Sequence, residues 1–356
     1  MAESLAPYHH YRQSQIIRAA GSKPIVNVDI GGGTTDVVVF MNEKPQLQTS
    51  FRMAANTIFG DGIARYGGSS SAFVAKYRQY YQALFAANKQ DELKDVMEEI
   101  VTKGRAQDIH AFFFSVEEHR NVRDRDRFSY GSLLSADEDL KIVFVYFYTA
   151  IVYHIAKLMS AKGLAQPRYA SFSGTGSKIL RIITSNNKLL EAYTRQIIED
   201  AYERPYDADG LSLIVESSIP KEVTCKGGLL GTTDEGTFPK PSVFSSIVGR
   251  EFETVTYQDV LVHLDEVVAS IQAFNTYFLS LNGTYNMVDT FNVSPGAWKK
   301  FSEELPKDLR AYVEQELDHE SRQGNAGATD VIAESPFFYG IKGTISALTT
   351  TLCGTE

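Results

Sequence analysis

Apolar positions near the start of the chain fall in short β-branched blocks. Ile25 to Ile30 and Val37 to Phe40 flank a Gly/Thr turn, and a third block, Leu47 to Met53, follows Asn42 and Glu43. This alternation predicts a three-stranded meander. Its first turn holds three consecutive glycines, whereas most hairpin turns need one at positive φ. From about residue 60 to 132 the pattern changes, with helix formers over 72–88 and 91–104 and no comparable strand signal, which predicts an inserted helical lobe. Ser135 and Glu138 have capping-box spacing. After them Leu140, Val143, Phe144, Phe147, Tyr148, Ile151, Ile155 and Leu158 recur at helical intervals until Lys162 and Gly163, so a core helix is expected.

The stretch RYASFSGTGSKIL predicts a strand ending at Ser173, a second glycine turn and a helix, with another helix beyond it. A strand over Leu211 to Glu216 follows, and Pro220 suits the first turn of a helix. Strand, glycine turn, helix, strand and helix in that order imply an α/β layer: a mixed sheet with helices on its faces. Between 231 and 245 the composition shifts to Gly, Thr, Pro and Ser, marking a boundary. Thr256 and Asp259 then cap a helix carrying Val260, Leu264, Val267, Ile271, Phe274, Phe278 and Leu281, with Asn282 and Gly283 as its stop. The remaining C-terminal region reads as mostly helical, without a solenoid repeat.

Composition narrows the function classes. The 356 residues suit two or three domains, and 43% hydrophobic content supports a real core. Lys and Arg number 35 against 44 acids, a net charge of −9 that argues against a nucleic-acid partner. Two cysteines, Cys225 and Cys353, form no disulfide framework or zinc spacing and suit a reducing, cytoplasmic compartment. The opening MAESLAPYHHYRQSQ lacks an apolar run behind a basic start, so no secretory signal is expected. The most apolar stretch, Ile142 to Ile155, is fourteen residues long where a span needs about twenty, so a buried helix and no membrane span are expected.

The chemistry concentrates in DIGGGTTD, Asp29 to Asp36. Three glycines let backbone approach a ligand, and N–H groups in such a turn form an anion-binding concavity suited to polyphosphate. Asp29, at the end of an apolar strand, can hold a hydrated magnesium ion, and the Thr34 and Thr35 hydroxyls can bond phosphate oxygens or position a water. VDIGGGTTDVVVF resembles the second phosphate motif of the actin, sugar-kinase and heat-shock-chaperone ATPase superfamily, in which two related α/β domains close on ATP. YASFSGTGSKIL is similar to that family's adenosine motif, SIPKEVTCKGGLL to the proline-started helix after it, and AESLAPYHHY to the linker helix leading out of the first domain. The resemblance covers about residues 1–230 and has no counterpart for the last 120.

What the resemblance implies is a ribonuclease-H-like, actin-type ATPase lobe formed by 1–59 and 165–235, an inserted helical subdomain at 60–164 covering the nucleotide from one side, and an appended region at 236–356. It makes Asp29 the water-mediated magnesium partner, and Gly31, Gly32 and Gly33 the cradle of the β- and γ-phosphates. Thr34 would sit beside the terminal phosphate as the second catalytic residue, and Gly174, Thr175 and Gly176 would approach the adenosine with Lys178 against the purine. Asp36 is expected to anchor the turn. The family's first phosphate motif should lie more than a hundred residues upstream, yet only 28 residues precede Asp29, so either that lobe has been lost or, as the linker-like segment right after Met1 favours, this chain is the C-terminal half of a longer ATPase whose N-terminal lobe is its partner. GLLGTTDEG lacks the acid and strand of that missing motif. A compact, complete ATPase would need another glycine hairpin between 60 and 165, and the sequence has none.

Such a half-cleft is expected to bind Mg-ATP weakly and turn it over little. A nucleotide-sensing scaffold or self-assembling filament subunit is the alternative of another class, and a sugar-kinase-like phosphotransferase is a third. Weaker candidates take structural readings: His9 and His10 at the surface, Asp124 and Asp126 with their arginines in a solvated loop, and His154 in the core.

Overall fold

The computed structural model describes residues 6, 9–10, 23–42, 44–59, 72–103, 105–207, 210–215, 220–230, 255–304, 309–324, 326–332 and 334–353. Strand β1 (Ile25–Ile30) pairs antiparallel with β2 (Thr35–Met41), and β2 pairs antiparallel with β3 (Lys44–Phe51). The chain then passes through helices before β4 (Tyr169–Ser173) joins the other edge of β1 in parallel, and β5 (Ser212–Val215) joins β4, also in parallel. The strand order β3-β2-β1-β4-β5 makes a five-stranded mixed sheet in a mixed α/β fold.

β1 is apolar almost throughout because both of its faces are covered. Val26, Val28 and Ile30 join Val37, Val39, Leu47 and Phe51 in the main core. On the opposite face Ile25, Val38, Phe40 and Tyr169 meet Val223. The predicted third strand sits earlier than expected, at 44–51. It is an edge strand whose burial alternates, and Arg52 leaves the ladder because its N–H donates to the Glu334 carboxylate at 2.6 Å.

Between β3 and β4 lie α1 (Ala55–Phe59), α2 (Ala72–Ala87), α3 (Asp91–Lys103), α4 (Ala106–Ser115), α5 (Arg125–Phe128), α6 (Tyr130–Ala136) and α7 (Lys141–Ala161). Helix α7 is 21 residues long, longer than the fourteen-residue run suggests, and an 18-residue window within it has mean hydropathy 1.6. By length and composition it could cross a membrane, and 89% of its apolar window is buried within this fold. The expected Ser135/Glu138 cap does not form. Ser135 belongs to α6, where its carbonyl accepts from the Lys141 ammonium at 2.6 Å, and Asp137 Oδ1 instead accepts the Leu140 N–H at 3.3 Å.

After β4 come α8 (Ile179–Ile183), α9 (Asn187–Tyr202) and, past β5, α10 (Pro220–Leu230). Val152 and Ile155 of α7 and Ile198 of α9 line, with Val26, Val28 and Phe172, a small apolar cavity on the main face of the sheet. Ala6, His9 and His10 are helical, and His9 is buried rather than at the surface; the rest of the expected linker helix, Glu216 and the 231–245 boundary lie outside the described residues. Asp124 accepts the Arg127 N–H at 3.3 Å to cap α5.

The C-terminal region contributes α11 (Tyr257–Val262), α12 (Leu264–Tyr285), α13 (Met287–Phe291), α14 (Pro295–Glu304), α15 (Leu309–Gly324) and α16 (Phe337–Cys353). The Thr256/Asp259 capping box forms as expected, but the helix breaks at His263 and then runs through Gly283 to a left-handed Asn286. Helix α16 packs on α15 and α12 and reaches α7, α1 and α2. Phe338 stacks on Phe51 with ring centres 4.3 Å apart and lies 4.5 Å from the His154 ring, whose pKa burial pushes down to about 3. His154 is thus a neutral core histidine.

One buried ionic cluster fastens this region. The Lys342 ammonium donates to Glu316 at 3.0 Å and to Glu334, while Glu320 accepts from the Tyr339 hydroxyl at 2.6 Å and from Arg52 Nη1 at 3.4 Å. Burial, and then the Glu334 charge, push the Glu320 carboxyl up to about 7 against the pull of Tyr339, Lys342 and Arg52. Folded Glu320 therefore holds its proton more tightly than unfolded Glu320. Its stabilising contribution is full below the ordinary value of 4.5 and is lost as pH rises through about 7. Thermal unfolding between about pH 5 and pH 8 should show wild-type stability falling more than that of Glu320→Gln, by on the order of 2 kcal/mol. Parallel pH profiles would show that Glu320 does not titrate in that window.

Candidate functional site

Parallel pairing sets Asp29 opposite Ser173, so β1 and β4 end side by side and each runs into its glycine turn. Open α/β sheets bind ligands at the carboxyl ends of such strands. The two turns touch. Gly174 has φ of 80°, and a Cβ there would strike Asp29 Oδ1 and the Ile30 carbonyl. A Cβ on Gly176 would lie 2.6 Å from the Gly31 carbonyl oxygen and 2.7 Å from Ile30 Cγ2. Only glycine lets the backbones approach this closely.

The first turn is held from behind. Gly31 N–H donates to the Thr34 carbonyl at 2.8 Å, Ala55 N–H to the Gly31 carbonyl at 3.3 Å and Asn56 N–H to the Gly32 carbonyl at 2.8 Å. In a planar trans peptide the C=O and N–H point in opposite directions. Tying the Gly31 and Gly32 carbonyls to α1 therefore aims the Gly32 and Gly33 N–H groups the other way. Both glycines are exposed, and among the described residues these N–H groups donate to no backbone acceptor. Adjacent outward amides of this kind form an anion-binding nest.

The threonines diverge because strand alternation sends neighbours to opposite faces. Thr34 is exposed, with its hydroxyl donating to Asp36 at 3.3 Å. Thr35 is fully buried, and its hydroxyl donates to the Met53 carbonyl at 2.6 Å, so it braces the turn from inside. Asp29 and Asp36 are half-buried and directly opposite each other in the β1–β2 register. Thr175 and Lys178 are exposed beyond β4, and Gly174 and Gly176 are buried against the first turn.

Beside the turns lies a cavity of about 320 Å³. Phe59, His110, Phe114 and Ile179 form its apolar wall, and Gly32, Asn56, Gln107, Thr175, Gly176 and Lys178 supply its polar side. Burial pushes His110 down to about 3, opposed by a hydrogen bond to the Phe59 backbone, and the Tyr130 hydroxyl lies 2.9 Å from its Nδ1. The ring is thus neutral and fixed, an aromatic surface rather than a proton carrier. Sequence reasoning missed Asn56, Phe59, Gln107, His110 and Phe114. Gln107, His110, Ala111 and Phe114 do share helical i, i+3, i+4, i+7 spacing, but Phe112 and Phe113 make the apolar run continuous and hide which face lines a cavity.

No protein-family model and no curated protein sequence matches the chain.

The two turns make opposite demands on glycine. Gly174→Ala forces a left-handed residue into Asp29 and should cost about 2–4 kcal/mol in denaturant unfolding, whereas Gly33→Ala, with nothing within 4 Å of its Cβ, should cost under about 1 kcal/mol. Equal losses would contradict the contact between the turns.

Proposed function

We propose that this chain is the nucleotide-binding lobe of an actin-like, chaperone-like ATPase with a ribonuclease-H-like core. The observation that carries the reading is the pair of outward N–H groups at Gly32 and Gly33, set beside a second glycine turn in direct contact. Further support comes from the mixed sheet, with a meander joined to two parallel strands and helices inserted between them.

In this reading the Gly32 and Gly33 amides receive the outer phosphates, and exposed Thr34 sits beside the terminal one. Asp29 holds magnesium through water. The fit with a cation rests on register: Asp29 and Asp36 lie directly across the antiparallel β1–β2 pair, so two carboxylates share one side of the turn, a donor set suited to a hydrated divalent ion. Gly174, Thr175 and Gly176 approach the nucleoside, Lys178 lies at the rim, and the apolar wall of Phe59, His110 and Phe114 takes the base. A cavity of about 320 Å³ is at the small end of ligand sites, as expected where a facing lobe completes the cleft. The output is hydrolysis or nucleotide-dependent closure. Phosphoryl transfer relies on positioning and charge stabilisation, so this lobe alone should turn over little.

Calorimetry with Mg-ATP and Mg-ADP should give weak, saturable binding that falls about tenfold or more in Asp29→Asn, together with negligible phosphate release. No binding at millimolar nucleotide would overturn the reading, and brisk hydrolysis by this chain would overturn the half-cleft.

A further inference from the structure

We propose that Glu334 is a positioning residue for the glycine turn, through which the C-terminal helical region sets the turn's grip on phosphate. The effect on phosphate rests on the nucleotide reading above; the positioning does not.

The path is continuous. One Glu334 oxygen accepts the Arg52 N–H at 2.6 Å, and the other accepts from buried Lys342. Arg52 opens the turn over 52–57. There the Thr57 hydroxyl donates to the Arg52 carbonyl at 3.2 Å and accepts the Ala54 N–H at 3.2 Å, and Thr57 N–H donates to the Ala54 carbonyl at 2.9 Å. Met53, between them, receives the Thr35 hydroxyl. The same turn presents the Ala55 and Asn56 N–H groups that hold the Gly31 and Gly32 carbonyls. A buried carboxylate 282 positions along the chain thus sets where the turn starts, and the turn sets the peptide planes that aim the Gly32 and Gly33 amides.

Charge makes Glu334 suited to this. An N–H to carboxylate bond is roughly twice as strong as a neutral one. Glu334 is 1% exposed and is itself fixed by Lys342, which Glu316 also grips. A cluster serving only to neutralise Lys342 and dock α16 would treat Glu334 and Glu316 alike, since both bond the Lys342 ammonium. Of the two, Glu334 also accepts the Arg52 main-chain N–H.

The test compares Glu334→Gln with Glu316→Gln, which loses the same Lys342 partner, in the full chain by amide hydrogen exchange and by titration with Mg-ADP. Glu334→Gln should speed exchange at Ala55 and Asn56 by about tenfold and weaken Mg-ADP by about three- to tenfold, while Glu316→Gln leaves both within about twofold. Equal effects of the two variants at Ala55 and Asn56, or no effect of either, would overturn the proposal. Should Glu334→Gln not fold, Thr57→Val breaks the same path outside the cluster, and unchanged exchange at Ala55 and Asn56 in that variant would overturn it as well. If wild type binds no Mg-ADP, the nucleotide reading fails, and the exchange contrast alone decides the positioning.

Discussion

Peptide planarity constrains this site more than any side chain does. Once Ala55 and Asn56 hold the carbonyls of Gly31 and Gly32, the amides of Gly32 and Gly33 cannot rotate freely, and a short stretch of backbone becomes a fixed pair of donors. An unconstrained triple-glycine turn would have to lose considerable conformational entropy on meeting an anion. Here folding meets that cost beforehand, through α1, the buried Thr35 hydroxyl and the close packing of the second glycine turn.

The rest of the molecule can be understood as support for that geometry. β1 lies at the centre of the sheet, covered on both faces, so the strand leading into the first turn is anchored in a core. The β1–β4 register brings the second turn to the same edge. Helix α4 contributes the cavity wall, where burial keeps His110 neutral, so among the described lining residues the positive charge is that of the exposed Lys178 at the rim. From the far end of the chain, α16 stacks Phe338 on Phe51, the last residue of β3, and places the Lys342 cluster behind Arg52. The C-terminal region is therefore part of the scaffold under the site.

The strands and most helices were legible because their apolar periods are strong, and the turn in DIGGGTTD was legible because its three glycines sit between β-branched blocks. Contacts between distant segments were not. That Gly174 must lack a side chain because of Asp29 follows only from the parallel register, which local pattern does not encode. Thr35 could have been assigned inward from strand alternation alone, since Thr34 and Thr35 must face opposite ways. Glu316 and Glu320 look like one solvated helix face at i, i+4 spacing. The only hint of their burial is Lys342 set in the apolar run PFFYGIKGTISAL, a charge that needs partners. The cap at Ser135 failed because a better-placed acceptor, Asp137, lies two residues on and is held by Lys76 at 2.6 Å and the Tyr77 hydroxyl at 2.5 Å.

If the Gly32 and Gly33 main-chain amides are the anion-binding groups, amide proton and nitrogen shifts followed during a titration with inorganic pyrophosphate and then Mg-ADP will show saturable downfield movement of the Gly32 and Gly33 protons. Ala55 and Asn56 should change little, because their bonds to the turn are already made. Binding that leaves Gly32 and Gly33 unmoved while shifting other amides would place the anion elsewhere.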